Sequence, residues 1–135
     1  MKPQNLDNKT ALIFNPYFDT LGGGEFYTIS FIEFLLTKGW QIEIAWNNLN
    51  IFEGICKRFN LQLKEKININ NKAYDLFTNK SNLIKKIFFT KKYQLVFFVS
   101  DGSIPWLFSQ KNIIHFQVPF TNIGTINGFT LIAPD

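Results

Sequence analysis

One cysteine, one histidine and one methionine in 135 residues exclude several whole classes of chemistry. A lone Cys56 can close no internal disulfide and build no multi-cysteine metal site; set in a helical pattern, it reads as a small buried hydrophobe. A lone His115 cannot belong to a multi-histidine metal centre. No stretch approaches the ~18 consecutive apolar residues of a membrane span. The polar opening segment, Met1 to Thr10, lacks the apolar region of a secretory signal. Charge is sparse too. The net charge is +4, only 18% of residues are charged, and no long block of one sign occurs. A chain built for nucleic acid carries a denser basic stripe. These absences predict a soluble, cytoplasmic protein with no bound metal and no nucleic-acid partner.

What the chain does contain is apolar material. Hydrophobic residues make up 46% and aromatics 17%, led by 16 Phe, enough at this length for one domain over residues 1–135 with a sizeable core. Ala11 to Phe14 is a short continuous apolar run, the pattern of a strand covered on both faces, and Asn15-Pro16 ends it. A helix is predicted from Glu25 to Lys38, with Phe26, Ile29, Ile32 and Leu36 inward and Gly39 as its stop. Trp40 to Trp46 alternates as a second strand. Ile51 to Phe59 reads as a short helix with Ile55 and Phe59 on one face, and Leu61 to Asn70 as a third strand. Asn79 to Lys92 reads as a basic amphipathic helix with Leu83, Ile84, Ile87 and Phe88 inward. Gln94 to Val99 is the strongest buried-strand signal, and Asn112 to Val118 forms another strand. One further apolar run, Phe129 to Ala133, lies in the tail. Alternating strands and helices of this size imply an α/β, Rossmann-like, doubly wound sheet, mainly parallel, with helices on both faces.

In such sheets ligands sit at the carboxyl ends of the strands, and the polar candidates collect there: Gly22 to Gly24, Asn47, Ser100 to Ser103, and His115 to Gln117. The loop Gly22-Gly23-Gly24-Glu25 empties a strand into a helix N-terminus. The free N–H groups and the dipole there suit an anion, and glycine lets it approach the backbone. The same glycines also fit a bare strand–helix turn. The loop has neither the Lys-Ser/Thr of a Walker A sequence nor a Gly-x-Gly-x-x-Gly fingerprint. Glu25 suits the first turn as a charge, or a catalytic base. Asp101 before Gly102 is ordinary turn chemistry, or a carboxylate that orients or deprotonates an acceptor hydroxyl. His115 is either a satisfied core group or a hydrogen-bonding partner in the cleft. The lysines at 80, 85, 86, 91 and 92 form a solvated face, or one suited to an anionic lipid surface.

Taken in order, the glycine loop, the Ser100-Asp101-Gly102-Ser103-Ile104-Pro105 strand exit and His115-Phe116-Gln117-Val118-Pro119 resemble the N-terminal domain of a group 1 (family 4) glycosyltransferase of the GT-B fold. Gly22-Gly23-Gly24-Glu25 matches that family's Gly-Gly-x-Glu, and the resemblance spans about residues 10 to 120. Glu25 and Glu33 also mimic the Glu-x7-Glu signature of that family's C-terminal domain, but they follow the first strand, the wrong place for it. The resemblance implies transfer of a sugar, with retention, from a nucleotide-diphosphate sugar to a hydroxyl of a glycan or lipid-linked acceptor. The donor is a substrate, so no cofactor is expected. It implies Asp101 and His115 as catalytic residues. Gly22, Gly23, Gly24 and Glu25 would form the donor phosphate loop, and Ser100, Gly102, Ser103 and Gln117 would contact substrate. It further implies a C-terminal donor-binding domain outside these 135 residues, without which the chain is inactive, and peripheral contact with the inner face of the cell membrane. The competing expectation is a standalone Rossmann-like binding module without catalytic activity.

Overall fold

The two continuous apolar runs become the centre of the sheet. The computed structural model describes residues 9–20, 23–58, 67–79, 83–103 and 105–117. Strand β1 (Thr10–Phe14) is buried from Ala11 onward, and β4 (Leu95–Ser100) is buried throughout. They pair with each other, β2 (Gln41–Ile44) and β3 (Ile67–Ile69) lie beyond β1, and β5 (Lys111–Phe116) lies beyond β4. The order is β3-β2-β1-β4-β5, and every pairing is parallel. Between the strands stand helices α1 (Gly23–Thr37), α2 (Leu49–Arg58), α3 (Asn71–Thr78) and α4 (Leu83–Thr90).

Strand periodicity divides the core in two. Ile13, Ile44, Phe97 and Val99 face α1 and α2, meeting Ile29, Ile32 and Leu35 of α1 and Ile55 and Cys56 of α2. Leu12, Phe14, Val96 and Phe98 face the other way and pack with Ala73 of α3 and with Tyr93, joined by Phe77 and Phe89. Helices therefore cover both faces, as a doubly wound α/β sheet requires. Cys56 is a buried free thiol, packed as a small hydrophobe. Helix α1 ends on Gly39 at φ +79, where Gly39 N–H donates to Leu36 O and Trp40 N–H to Leu35 O, a Schellman closure.

Several expectations need correction. Helix α1 begins at Gly23, so Gly23 and Gly24 belong to its first turn rather than to a loop before it. Phe26 is exposed, not inward; Ile29, Ile32 and Leu36 are buried as expected, and Leu35 joins them. Asn71–Thr78 is helical, a helix not expected from the sequence, and Asn70 is expected only as the end of the third strand. Asn70 is in fact the cap: its Oδ1 accepts from Ala73 N–H at 2.9 Å. Asn79 closes α3 instead of opening the basic helix, which starts at Leu83. In that helix Leu83, Ile84 and Phe88 face solvent, Ile87 is half-buried, and the inward positions are Phe89 and Thr90. Thr90 is held inward because its hydroxyl donates to Lys86 O and accepts from Phe108 N–H. Gly22, Phe59, Leu61–Lys66, Lys80, Val118 and the run Phe129 to Ala133 lie outside the described residues.

Candidate functional site

The strand order places a topological switch point between β1 and β4, where chain connections leave in opposite directions. A cavity of about 630 Å³ opens there, between the carboxyl ends of these strands and helices α3 and α4, a volume suited to a small organic ligand. Its floor is aromatic. The ring centroid of Phe14 lies 4.6 Å from that of Phe98 and 5.1 Å from that of Phe77, and Phe77 meets Phe98 edge-on at 5.5 Å. Thr78, Lys86, Asp101 and Ser103 supply polar groups, and the exposed indole of Trp106 stands at the rim. An ammonium and a carboxylate around an aromatic floor can hold a ring through its face and through its hydroxyl or anionic substituents.

The turn after β4 builds one wall. Ser100 is buried and its hydroxyl is consumed locally, donating to Ser103 O and accepting from Gly102 N–H at 3.1 Å. Asp101 Oδ1 accepts from the Ser103 hydroxyl at 3.2 Å and more weakly from Ser103 N–H. Asp101 thus shapes the turn and faces the cavity at once. Gly102 adopts φ +115, a backbone state open to glycine and strained for other residues. Gly102→Ala should lower stability by roughly 1–2 kcal/mol. Gly54→Ala, inside α2, should raise it by roughly 0.5–1 kcal/mol. A Cβ at either position meets open space, so opposite signs in paired denaturant titrations would trace the difference to backbone alone.

The other candidates gather on the α1 side. Strand register sets His115 beside Val99, sharing the α1 face with it. The imidazole stacks on Tyr27 at 4.6 Å and lies parallel to Phe97 at 6.4 Å. It is therefore held by aromatic faces, and the two candidate catalytic residues belong to opposite sides of the sheet. Gln117 joins the groups: its N–H donates to Ser100 O at 3.3 Å, and its carboxamide fills the space a Cβ on Gly24 would need. What approaches Gly24 is this side chain. Glu25 is fully buried in the first turn, where Thr20 Oγ1 donates to its Oε1 at 3.0 Å; its charge meets the positive end of the helix.

Three contributors were not foreseen from sequence. Asn15, fully buried at the end of β1, accepts from Tyr17 N–H and donates to Thr28 Oγ1 at 3.0 Å, while Thr28 donates to Gly24 O. This chain of bonds ties the strand exit to α1; the signal was an asparagine just after an apolar strand and before proline. Lys86, read only as part of a basic helix face, and Trp106, which left no local signal, reach the cavity from elements remote in sequence. Among the described residues, no cluster of three His, Cys, Asp or Glu could hold a metal ion, and no helix is long and apolar enough to cross a membrane. A scan against protein-family models and searches of curated proteins and of solved structures return no match.

Proposed function

We propose that the chain is the acceptor-side, N-terminal domain of a GT-B glycosyltransferase, which transfers a sugar with retention from a nucleotide-diphosphate sugar to an acceptor hydroxyl. One observation carries this reading: the cavity at the β1–β4 switch point joins an aromatic floor, an exposed indole, a carboxylate and an ammonium. Sugars present an apolar ring face to aromatics and hydroxyls to carboxylates. In this reading Trp106 packs on the acceptor ring and Asp101 accepts a hydrogen bond from its hydroxyl. Charge developing on the departing diphosphate calls for donors fixed in advance, a role for the start of α1 together with a second domain.

The Gln117 carboxamide against Gly24 favours a second reading. The notch that a phosphate would enter is already filled, as in a binding module that performs no transfer. Calorimetric titration of the chain with a panel of neutral oligosaccharides and with uridine and guanosine diphosphates separates the two. A sugar is expected to bind, roughly tenfold more weakly to Trp106→Ala, and Gln117→Ala is expected to admit the diphosphate. Diphosphate binding by either form would count against the binding module. Absence of any sugar binding, or equal binding by Trp106→Ala, would overturn the acceptor assignment.

A further inference from the structure

Helix α4 presents its apolar residues to solvent. Ile84 and Phe88, one turn apart, are 67% and 68% exposed, and Leu83 is nearly half exposed. The loop before β5 is tied to the inward side of the same helix. Phe108 N–H donates to Thr90 Oγ1 at 3.1 Å, which fixes the loop against α4, and Trp106 and Phe108 are both exposed. Lysines accompany the ridge. Lys85, Lys91 and Lys92 are exposed, with Lys91 Nζ 5.7 Å from the centroid of Phe88 and Lys92 Nζ 4.0 Å from that of Phe89. Residues 83–92 and 105–111 contain no Asp or Glu. Such a surface is costly in water. The exposed aromatics of α1, by contrast, have Glu33 among them and carry no such charge pattern.

We propose that the exposed face of α4 formed by Ile84 and Phe88, flanked by Lys85, Lys91 and Lys92, docks on an anionic lipid bilayer surface. The physical match is specific. Apolar side chains enter the acyl boundary, and ammonium groups on flexible stems stay among the headgroup phosphates. The absence of acidic residues from both segments removes the repulsion that an anionic surface would otherwise impose.

Co-sedimentation of the full 135-residue chain with phosphatidylcholine vesicles, with and without phosphatidylglycerol, tests the proposal. The chain is expected to pellet with the anionic vesicles only and to be released by high salt. Replacing Ile84 and Phe88 by Asn should weaken binding roughly tenfold. Neutralising Lys85, Lys91 and Lys92 to Gln should weaken it by about fivefold per residue. None of these residues lines the cavity, so both variants should keep the oligosaccharide binding of the parent chain, and loss of one property is separable from loss of the other. Two results would overturn the proposal: no binding to anionic vesicles, or unchanged binding by both variants. A dimer that the Ile84/Phe88 variant converts to monomer, without vesicle binding, would replace the membrane by a second copy.

Discussion

Phe97→Ala should be among the most damaging single substitutions in this chain, lowering stability by about 3–5 kcal/mol. Phe97 is buried at the centre of β4 and is the point where α1 rests on the sheet. Its ring lies 4.8 Å from Phe31, 6.3 Å from Tyr27 and 6.4 Å from His115. Truncation removes the apolar burial and leaves a void that a helix pinned at both ends is ill placed to fill. One end is held by the Asn15–Thr28 bond and the other by the closure at Gly39. Its neighbour Phe98 points to the opposite face, over the cavity floor. Phe98→Ala should cost less and should alter ligand binding, because part of its void opens into a space already accessible to ligand. Thermal melts check the first claim, with an expected drop on the order of 10–20 °C for Phe97→Ala. A drop of only a few degrees would mean that Phe97 does not anchor α1. The oligosaccharide titration checks the second.

The same alternation explains how much could be read before the fold was known. Ala11 to Phe14 and Gln94 to Val99 were legible because strands buried on both faces need no polar positions, so burial writes itself as an uninterrupted run. Their parallel pairing followed from the helices between them. Helix orientation was harder. The spacing of Leu83, Ile84, Ile87 and Phe88 describes an apolar stripe but not what covers it, and here the sheet is met by Phe89 and Thr90 instead. Helix α1 has apolar residues all round, so Phe26 was as good an inward candidate as Leu35. Asn70 reads as the end of the third strand, and its capping role leaves no periodicity to betray it. For the site, turn residues such as Asp101 and Ser103 were visible as breaks in periodicity. Lys86 and Trp106 were not, since their convergence is a product of tertiary packing alone.

Above pH 10 the stability of the native chain should fall, and Tyr93→Phe should remove this residue's share of the decline. The Tyr93 hydroxyl donates to Glu43 Oε2 at 2.5 Å, and Asn70 Nδ2 donates to the same oxygen at 2.9 Å. Burial, reinforced by the hydrogen bond and charge of Glu43 and opposed by Asn70, pushes the phenol well above its ordinary value of 10.0. The sign follows from proton counting. With the folded value raised, the native state keeps its proton after the unfolded chain has released it. The contribution is therefore complete below about pH 10 and is lost as pH rises, at up to about 1.4 kcal/mol per pH unit. At neutral pH Tyr93→Phe should cost roughly 1.5–3 kcal/mol, the range for a bond to an ionised group. The lower end is expected, because Glu43 keeps Asn70 as a donor and Asn70 remains fixed as the cap of α3. Urea titrations of both proteins across the alkaline range should show two curves that converge as pH increases. A gap that stays constant through pH 11 would show that Tyr93 ionises alike in both states and that its link to Glu43 does not govern the strand–helix junction.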